Sequence, residues 1–310
     1  MKQEAVVDVV VLGEPLVEFS ADRALSEAGT FHLSFSGDAL NASVAAAAQG
    51  ARVALVTRVG ADEFGERLIG FAAGRGVDTR WMVRGEGPTG AYAVGADPSG
   101  ERAFAYFRNG SAASRMSPED VDRSPVGDAR VVLLGGITAA ISGSCARAVR
   151  HAAKAASGRV VYDPNFRSRL TTPEAAAAVL RDVAPHSALV KISSPGDSGA
   201  LLGLTEPHEV ARACRALGAG AVAVTLGEGG VLLAEGDAAP VLVPAFRAAE
   251  VVDQTGAGDS FAGTLAAWLA GGKSLPEAVR AGTAAASISL GGRGGTGRVA
   301  AHDEIEAMLG

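Results

Sequence analysis

Positive charge is in short supply in this chain. Its 28 Lys and Arg face 34 Asp and Glu, a net charge of −6 over 310 residues. That balance speaks against nucleic acid or an anionic membrane as a partner, and any anionic ligand must find its countercharge locally. Cysteine is nearly absent. Cys145 and Cys214 lie in Ala-rich helical contexts without metal-ligand spacing, which argues for two small core residues in a reduced compartment. No apolar run approaches a membrane span. The first residues, Met1-Lys2-Gln3-Glu4, lack the apolar core and cleavage site of a secretory leader, so a cytoplasmic location is expected. Aromatics are sparse at 5%, and there is no internal repeat or low-complexity linker. Glycine is plentiful (41 residues), and 48% of the chain is hydrophobic. This is the composition of a soluble globular protein with a substantial core.

Short apolar runs recur between helical patterns. Strands are expected at Val6–Leu12, Val53–Val56, Val131–Leu134, Val160–Tyr162, Ala188–Ile192, Ala221–Thr225 and Val231–Leu233. Helices are expected at Asn41–Gln49, Glu63–Ala73, Gly143–Ala156, Pro173–Asp182, Glu206–Leu217, Ser260–Ala270, Pro276–Leu290 and Asp303–Met308. Such alternation predicts an α/β fold with a mostly parallel sheet covered by helices on both faces. Ligands bind such sheets at the carboxyl ends of the strands, where Asp163, Ser194, Gly227 and Asp253 are expected. Two stretches, Leu16–Ser36 and Gly90–Arg108, alternate polar with apolar residues. They read as a small antiparallel lid formed by about 15–36 and 88–110, the second part a hairpin turning at Asp97-Pro98-Ser99-Gly100, with ordinary surface hairpins as the alternative. The whole of 1–310 then forms one domain.

The most informative run is Asp253-Gln254-Thr255-Gly256-Ala257-Gly258-Asp259-Ser260-Phe261. A strand-like approach, Glu250-Val251-Val252, leads into it, and a long Ala- and Leu-rich helix follows. A Gly-rich turn entering a helix aims backbone N–H groups and the positive end of the helix dipole at one small space, suited to a phosphate or an oxyanion. A carboxylate beside such a turn repels an anion unless it has work to do, and taking a proton from an attacking hydroxyl is that work. The plain alternative is that Asp259 is a helix N-cap.

Further motifs stand in order around it: Gly13-Glu14, Gly37-Asp38-Ala39-Leu40-Asn41, Gly60-Ala61-Asp62-Glu63-Phe64-Gly65, Asp163-Pro164-Asn165-Phe166-Arg167 and Leu226-Gly227-Glu228-Gly229-Gly230. Together they resemble the signatures of the ribokinase-like (pfkB) carbohydrate kinases over nearly the whole chain. Four segments are most similar to the sugar-acid branch of that family: Gly37–Asn41, Ser99–Asn109, Leu134–Thr138 and Asp163–Leu170. The resemblance implies a three-layer α/β/α fold and transfer of the ATP γ-phosphoryl group to a sugar acid. Asp259 becomes the base, with Gly256, Ala257 and Gly258 as the anion hole.

Substrate contacts are then expected from Gly37, Asp38, Asn41, Tyr92, Tyr106, Arg108 and Arg167. The two arginines supply bidentate charge for a carboxylate. Nucleotide contacts are expected from Ser194, Asp197, Thr225, Gly227, Gly230, Gly256 and Gly258. ATP and Mg²⁺ are implied, with room for a monovalent cation and no metal held by protein ligands alone. Each Arg or Tyr has a bland counterpart as surface charge or packing aromatic. Asn41 has one as an N-cap and Asp163 as a holder of its own loop, while Gly291–Gly297 is either a flexible segment near the nucleotide or a plain C-terminal loop. The chain also departs from the family pattern. Thr225 stands where a Lys is frequent. The usual Asn-x-x-Glu element survives only as Ser194-x-x-Asp197, and Ser193 competes for its first position. A neutral-sugar kinase such as a fructokinase, and a sugar- or nucleotide-binding sensor without catalysis, are the alternatives. The exposed edge of the lid invites a homo-oligomer.

Overall fold

The computed structural model describes residues 7–96 and 102–310; the Asp97–Gly100 turn lies outside these. The first half of the described chain runs β1 (Val9–Leu12), β2 (Leu16–Ala21), β3 (His32–Ser36), α1 (Asp38–Ala47), β4 (Val53–Gly60), α2 (Glu63–Gly74), β5 (Val77–Asp78), β6 (Met82–Gly85), β7 (Ala91–Ala96) and β8 (Arg102–Phe107). Then follow α3 (Pro118–Asp122), β9 (Val131–Gly135), α4 (Gly136–Ile141), α5 (Gly143–Ala155), β10 (Arg159–Asp163), α6 (Pro173–Val183), β11 (Leu189–Ser193), α7 (Gly196–Leu202) and α8 (Pro207–Ala216). The chain closes with β12 (Ala221–Thr225), β13 (Val231–Glu235), β14 (Val241–Val243), α9 (Ala257–Ala270), α10 (Leu275–Ser289) and α11 (His302–Leu309).

The large sheet has the order β14-β13-β12-β11-β10-β9-β1-β4-β5, with β6 also beside β4. From β12 to β5 the strands are parallel; β13 and β14 extend the sheet antiparallel. Alternate residues feed opposite cores, as the strand period of two requires. Val9, Val11, Leu133, Val161 and Leu189 meet α1, α9 and α10 on one face. Val10, Leu12, Val132, Leu134 and Tyr162 meet α5, α6 and α8 on the other. Cys145 and Cys214 are buried in this second core, and burial pushes the Cys214 thiol up to about 12. The protein is thus a three-layer α/β/α structure, as the resemblance implies.

A second sheet, β3-β2-β7-β8, forms the lid. Its two hairpins are internally antiparallel, and a parallel β2–β7 pairing joins them. Asp62 fixes the lid's root: it caps α2 through Gly65 N (2.8 Å) and also accepts from Thr89 N (2.8 Å) and Thr89 Oγ1 (2.7 Å).

Two local expectations change. Glu250-Val251-Val252 is not a strand, so Asp253 does not stand at a strand end. Val251 and Val252 are exposed, and the amides of Val252 and Asp253 both reach the single carbonyl of Leu290 rather than a neighbouring strand. Both functional helices also start earlier than periodicity alone implies. α1 begins at Asp38 behind Gly37, and α9 at Ala257 behind Gly256, whose φ of 80° suits only glycine. Asn41 and Asp259 are therefore helical residues, and neither is an N-cap.

Candidate active site

The site is assembled where α1 crosses α9. A Cβ on Gly263 would lie 2.1 Å from the carbonyl oxygen of Ala42, so the glycine lets the two backbones touch. One turn towards the N-terminus of α9, Asn41 Nδ2 donates to Asp259 Oδ2 at 2.8 Å. The Gly-rich stretch near the C-terminus closes over this pair: a Cβ on Gly295 would meet Asn41 Nδ2, and one on Gly256 would meet Gly295 Cα. Asp253 holds that stretch in place, accepting from Thr255 N (2.8 Å) and Gly294 N (2.7 Å). The segment Gly291–Gly297 is thus a clamp on the Gly256–Asp259 turn.

Below the turn lies a small cavity lined by Asp38, Gly135, Asp163, Asn165 and Asp259 among apolar strand ends. Three carboxylates in one space raise one another's affinity for protons. Desolvation first, then the Asp259 charge, pushes Asp38 up to about 7. Loss of hydration also raises Asp259, while the Asn41 hydrogen bond and the cations Lys191 and Arg167 pull it down. Burial pushes Asp163 up to about 6 against the pull of Lys191, whose Nζ lies 2.8 Å from its Oδ2. Asn165, at φ 40°, is the one non-glycine with positive φ among the described residues, a strained backbone at the rim of the site.

Next to it opens a cleft of about 920 Å³ lined by Arg167, Lys191, Ser194, Asp197, Thr225, Gly227, Gly230, Ala257 and Gly258, with Phe246 and Val251 on its apolar side. Six of the seven residues expected at the nucleotide meet here. Gly256 stands outside, as the left-handed residue before α9. Ser193 takes the place expected of Ser194: its Oγ donates to Asp197 Oδ2 at 2.7 Å, whereas Ser194 Oγ is spent on Thr205 O. Asp197 further accepts from Phe166 N, so it fixes the Asn165–Arg167 loop. Arg167 is exposed and lines this cleft rather than the small cavity.

The lid-side residues are more committed than their sequence suggests. Arg108 is buried in an ion pair with Glu14, itself buried and accepting from Ser111 Oγ at 2.5 Å. Its charge still reaches Asp38, and its guanidinium lies 6.0 Å from the Tyr106 ring. Tyr92 is buried with its hydroxyl on Glu18, which also accepts from Ser34. Tyr106 lies opposite Tyr92 across the β7–β8 pair and is exposed. Gly37, at φ 107°, has no room for a Cβ beside the carbonyl of Glu14, so the backbone it lets approach is the protein's own. Arg169 ties the loop after β10 to the lid, donating to Phe104 O at 2.9 Å.

The family model for pfkB family carbohydrate kinases matches residues 7–300. The chain belongs to that family. It is 36% identical to a 2-dehydro-3-deoxygluconokinase of Thermoproteus tenax, over 99% of this chain and 95% of that protein. It is also 32% identical to a probable fructokinase-2 of Arabidopsis thaliana, over 83% and 80%. The crystal structure of a PfkB protein from Polaromonas sp. JS666 superposes with a TM-score of 0.86 at 31% identity, covering 98% of this chain and all of that one.

Sequence reasoning missed two charged groups and one ion pair in this carbohydrate kinase. Lys191 lies in the apolar run Leu189-Val190-Lys191-Ile192, and a lone cation inside a buried strand was the available signal. Glu18 had a similar signal, a carboxylate within an alternating lid strand. The Glu14–Arg108 pair had none, since nothing local links residues so far apart.

Proposed function

We propose that this pfkB kinase transfers the γ-phosphoryl group of ATP to the primary hydroxyl of 2-keto-3-deoxygluconate, giving the 6-phosphate. The carrying observation is the place of Asp259. Its carboxylate lines the small cavity, while Ala257 and Gly258, the first residues of the same helix, line the large cleft. A hydroxyl in the first and a triphosphate in the second meet at the start of α9. The new bond joins the sugar oxygen to Pγ, the bond from Pγ to the ADP oxygen breaks, and the hydroxyl proton passes to Asp259. Of the expected anion hole, Gly258 lines the cleft, where its N–H is offered to the charge that builds on the moving group; Gly256 stands outside the cleft, and the N–H of Ala257 donates to Gln254 O at 3.4 Å.

Among the described residues no group of three or more His, Cys, Asp or Glu could hold a metal. The cleft contributes only Asp197 and Glu228 as carboxylates, which fits a Mg²⁺ held largely by phosphate oxygens and water. Bound there, the ion neutralises phosphate charge. Asp259→Asn is expected to lower kcat about 10²–10⁴-fold in a coupled ADP-release assay; full turnover in that variant overturns the mechanism.

The sugar-acid reading rests on the likeness to the Thermoproteus kinase, since Arg108 is paired with Glu14 and Arg167 lines the large cleft. A second reading, a neutral sugar such as fructose, is favoured by the engagement of Arg108 with Glu14 and by the carboxylates around the small cavity, which repel a sugar acid. Steady-state kinetics with both substrates decide between them. A tenfold or greater preference for fructose in kcat/KM removes the sugar-acid reading.

A further inference from the structure

We propose that Lys191 is a further catalytic residue of this transfer: its ammonium meets the phosphoryl group on the way from the nucleotide cleft to the hydroxyl beside Asp259. The inference rests on the kinase reading above and names a group outside every motif quoted in the sequence analysis. Lys191 is 5% exposed in β11, whereas Arg167 and Arg247, the other cations lining the cleft, are exposed. Its Nζ lies 3.2 Å from the position a Cβ on Gly258 would take, beside the first turn of α9. It also holds Asp163, a wall of the small cavity. One buried cation therefore lines the cleft and at the same time holds a wall of the small cavity.

An ammonium has three donors. Among the described residues, Nζ donates to one acceptor, Asp163 Oδ2. The remaining two suit the equatorial oxygens of a phosphoryl group, whose charge is best met by fixed donors in a site closed to water. Thr225, two residues past the neighbour of Lys191 on the adjacent strand, offers no charge there. Lys191 supplies it from one strand over.

The merely structural alternative is that Lys191 only neutralises Asp163. Titration of the purified protein with ADP and with a non-hydrolysable ATP analogue, both with Mg²⁺, separates the two, because only the analogue carries the γ group. Lys191→Met is expected to weaken the analogue about tenfold while leaving ADP within twofold. It is also expected to lower kcat about 10²–10³-fold, as loss of one preorganised donor does, with the sugar KM changed less than about threefold. Because Lys191→Met strands a buried carboxylate, Lys191→Met/Asp163→Asn is measured against Asp163→Asn alone, and the same losses are expected. Equal weakening of ADP and analogue, or a double variant within threefold of Asp163→Asn in kcat, overturns the proposal. If the native protein phosphorylates no sugar at all, the kinase reading falls, and the difference between analogue and ADP still decides the role of Lys191.

Discussion

Asp38 and Asp259 share a space that holds one negative charge more easily than two. Asp259 has to be ionised to accept a proton, and its affinity for protons is raised by lost hydration. kcat is therefore expected to fall on the acid side at a pH well above the ordinary 3.8 of an aspartate. The Asn41 hydrogen bond opposes this rise. Asn41→Ala should move the acid limb of the pH–rate profile to higher pH and lower the plateau about tenfold or more; an unmoved limb would count against Asn41 as the group that tunes the base. Stability has its own sign. Asp38 binds its proton more tightly folded than unfolded, so its contribution is most favourable at low pH and is lost as pH climbs from 3.8 towards about 7. Asp38→Asn should raise the Tm more at pH 8 than at pH 5, as differential scanning fluorimetry can read.

Among the elements, α1 and α9 matter most, because their close crossing sets the distance between Asn41 and Asp259. Gly263→Ala would drive a methyl into the Ala42 carbonyl. The helices must then separate, at a cost of about 1–3 kcal/mol of stability, with a loss of kcat exceeding that of other Gly→Ala changes in exposed helices. Denaturant unfolding and turnover of the same sample test both. The lid's root is the second such place. Asp62→Ala removes a helix cap and both bonds to Thr89, costing about 1–3 kcal/mol. The sugar KM should rise, because the root of β7 is no longer tied to α2. This part was visible in the sequence only as a Gly-x-Asp-x-x-Gly spacing. The bonds to Thr89 were not, since residue 89 lies 27 positions away.

For the molecule as a whole, the Val- and Leu-rich strands made the parallel sheet legible, and the turn at Gly256–Asp259 made its functional edge legible. Helix starts were misread because glycine behind Asp38 and Ala257 lets a helix begin without the usual side-chain cap. The pairing of Arg108 was not legible, because a buried partner as remote in sequence as Glu14 leaves no local trace. Long-range pairing is the common cause, and the site itself is its strongest instance.

Asn41 and Asp259 are 218 residues apart, and the segment that clamps them follows later still. A ribosome adding about 5–20 residues per second therefore makes the Asn41 end of α1 about 10–40 s before Asp259, the proposed base. A nascent chain carrying the lid and the first strands lacks Asp259 and the Gly256–Gly258 turn. With Asp259 as the proposed base, an amino-terminal fragment released early is expected to be inert towards ATP rather than a partial kinase.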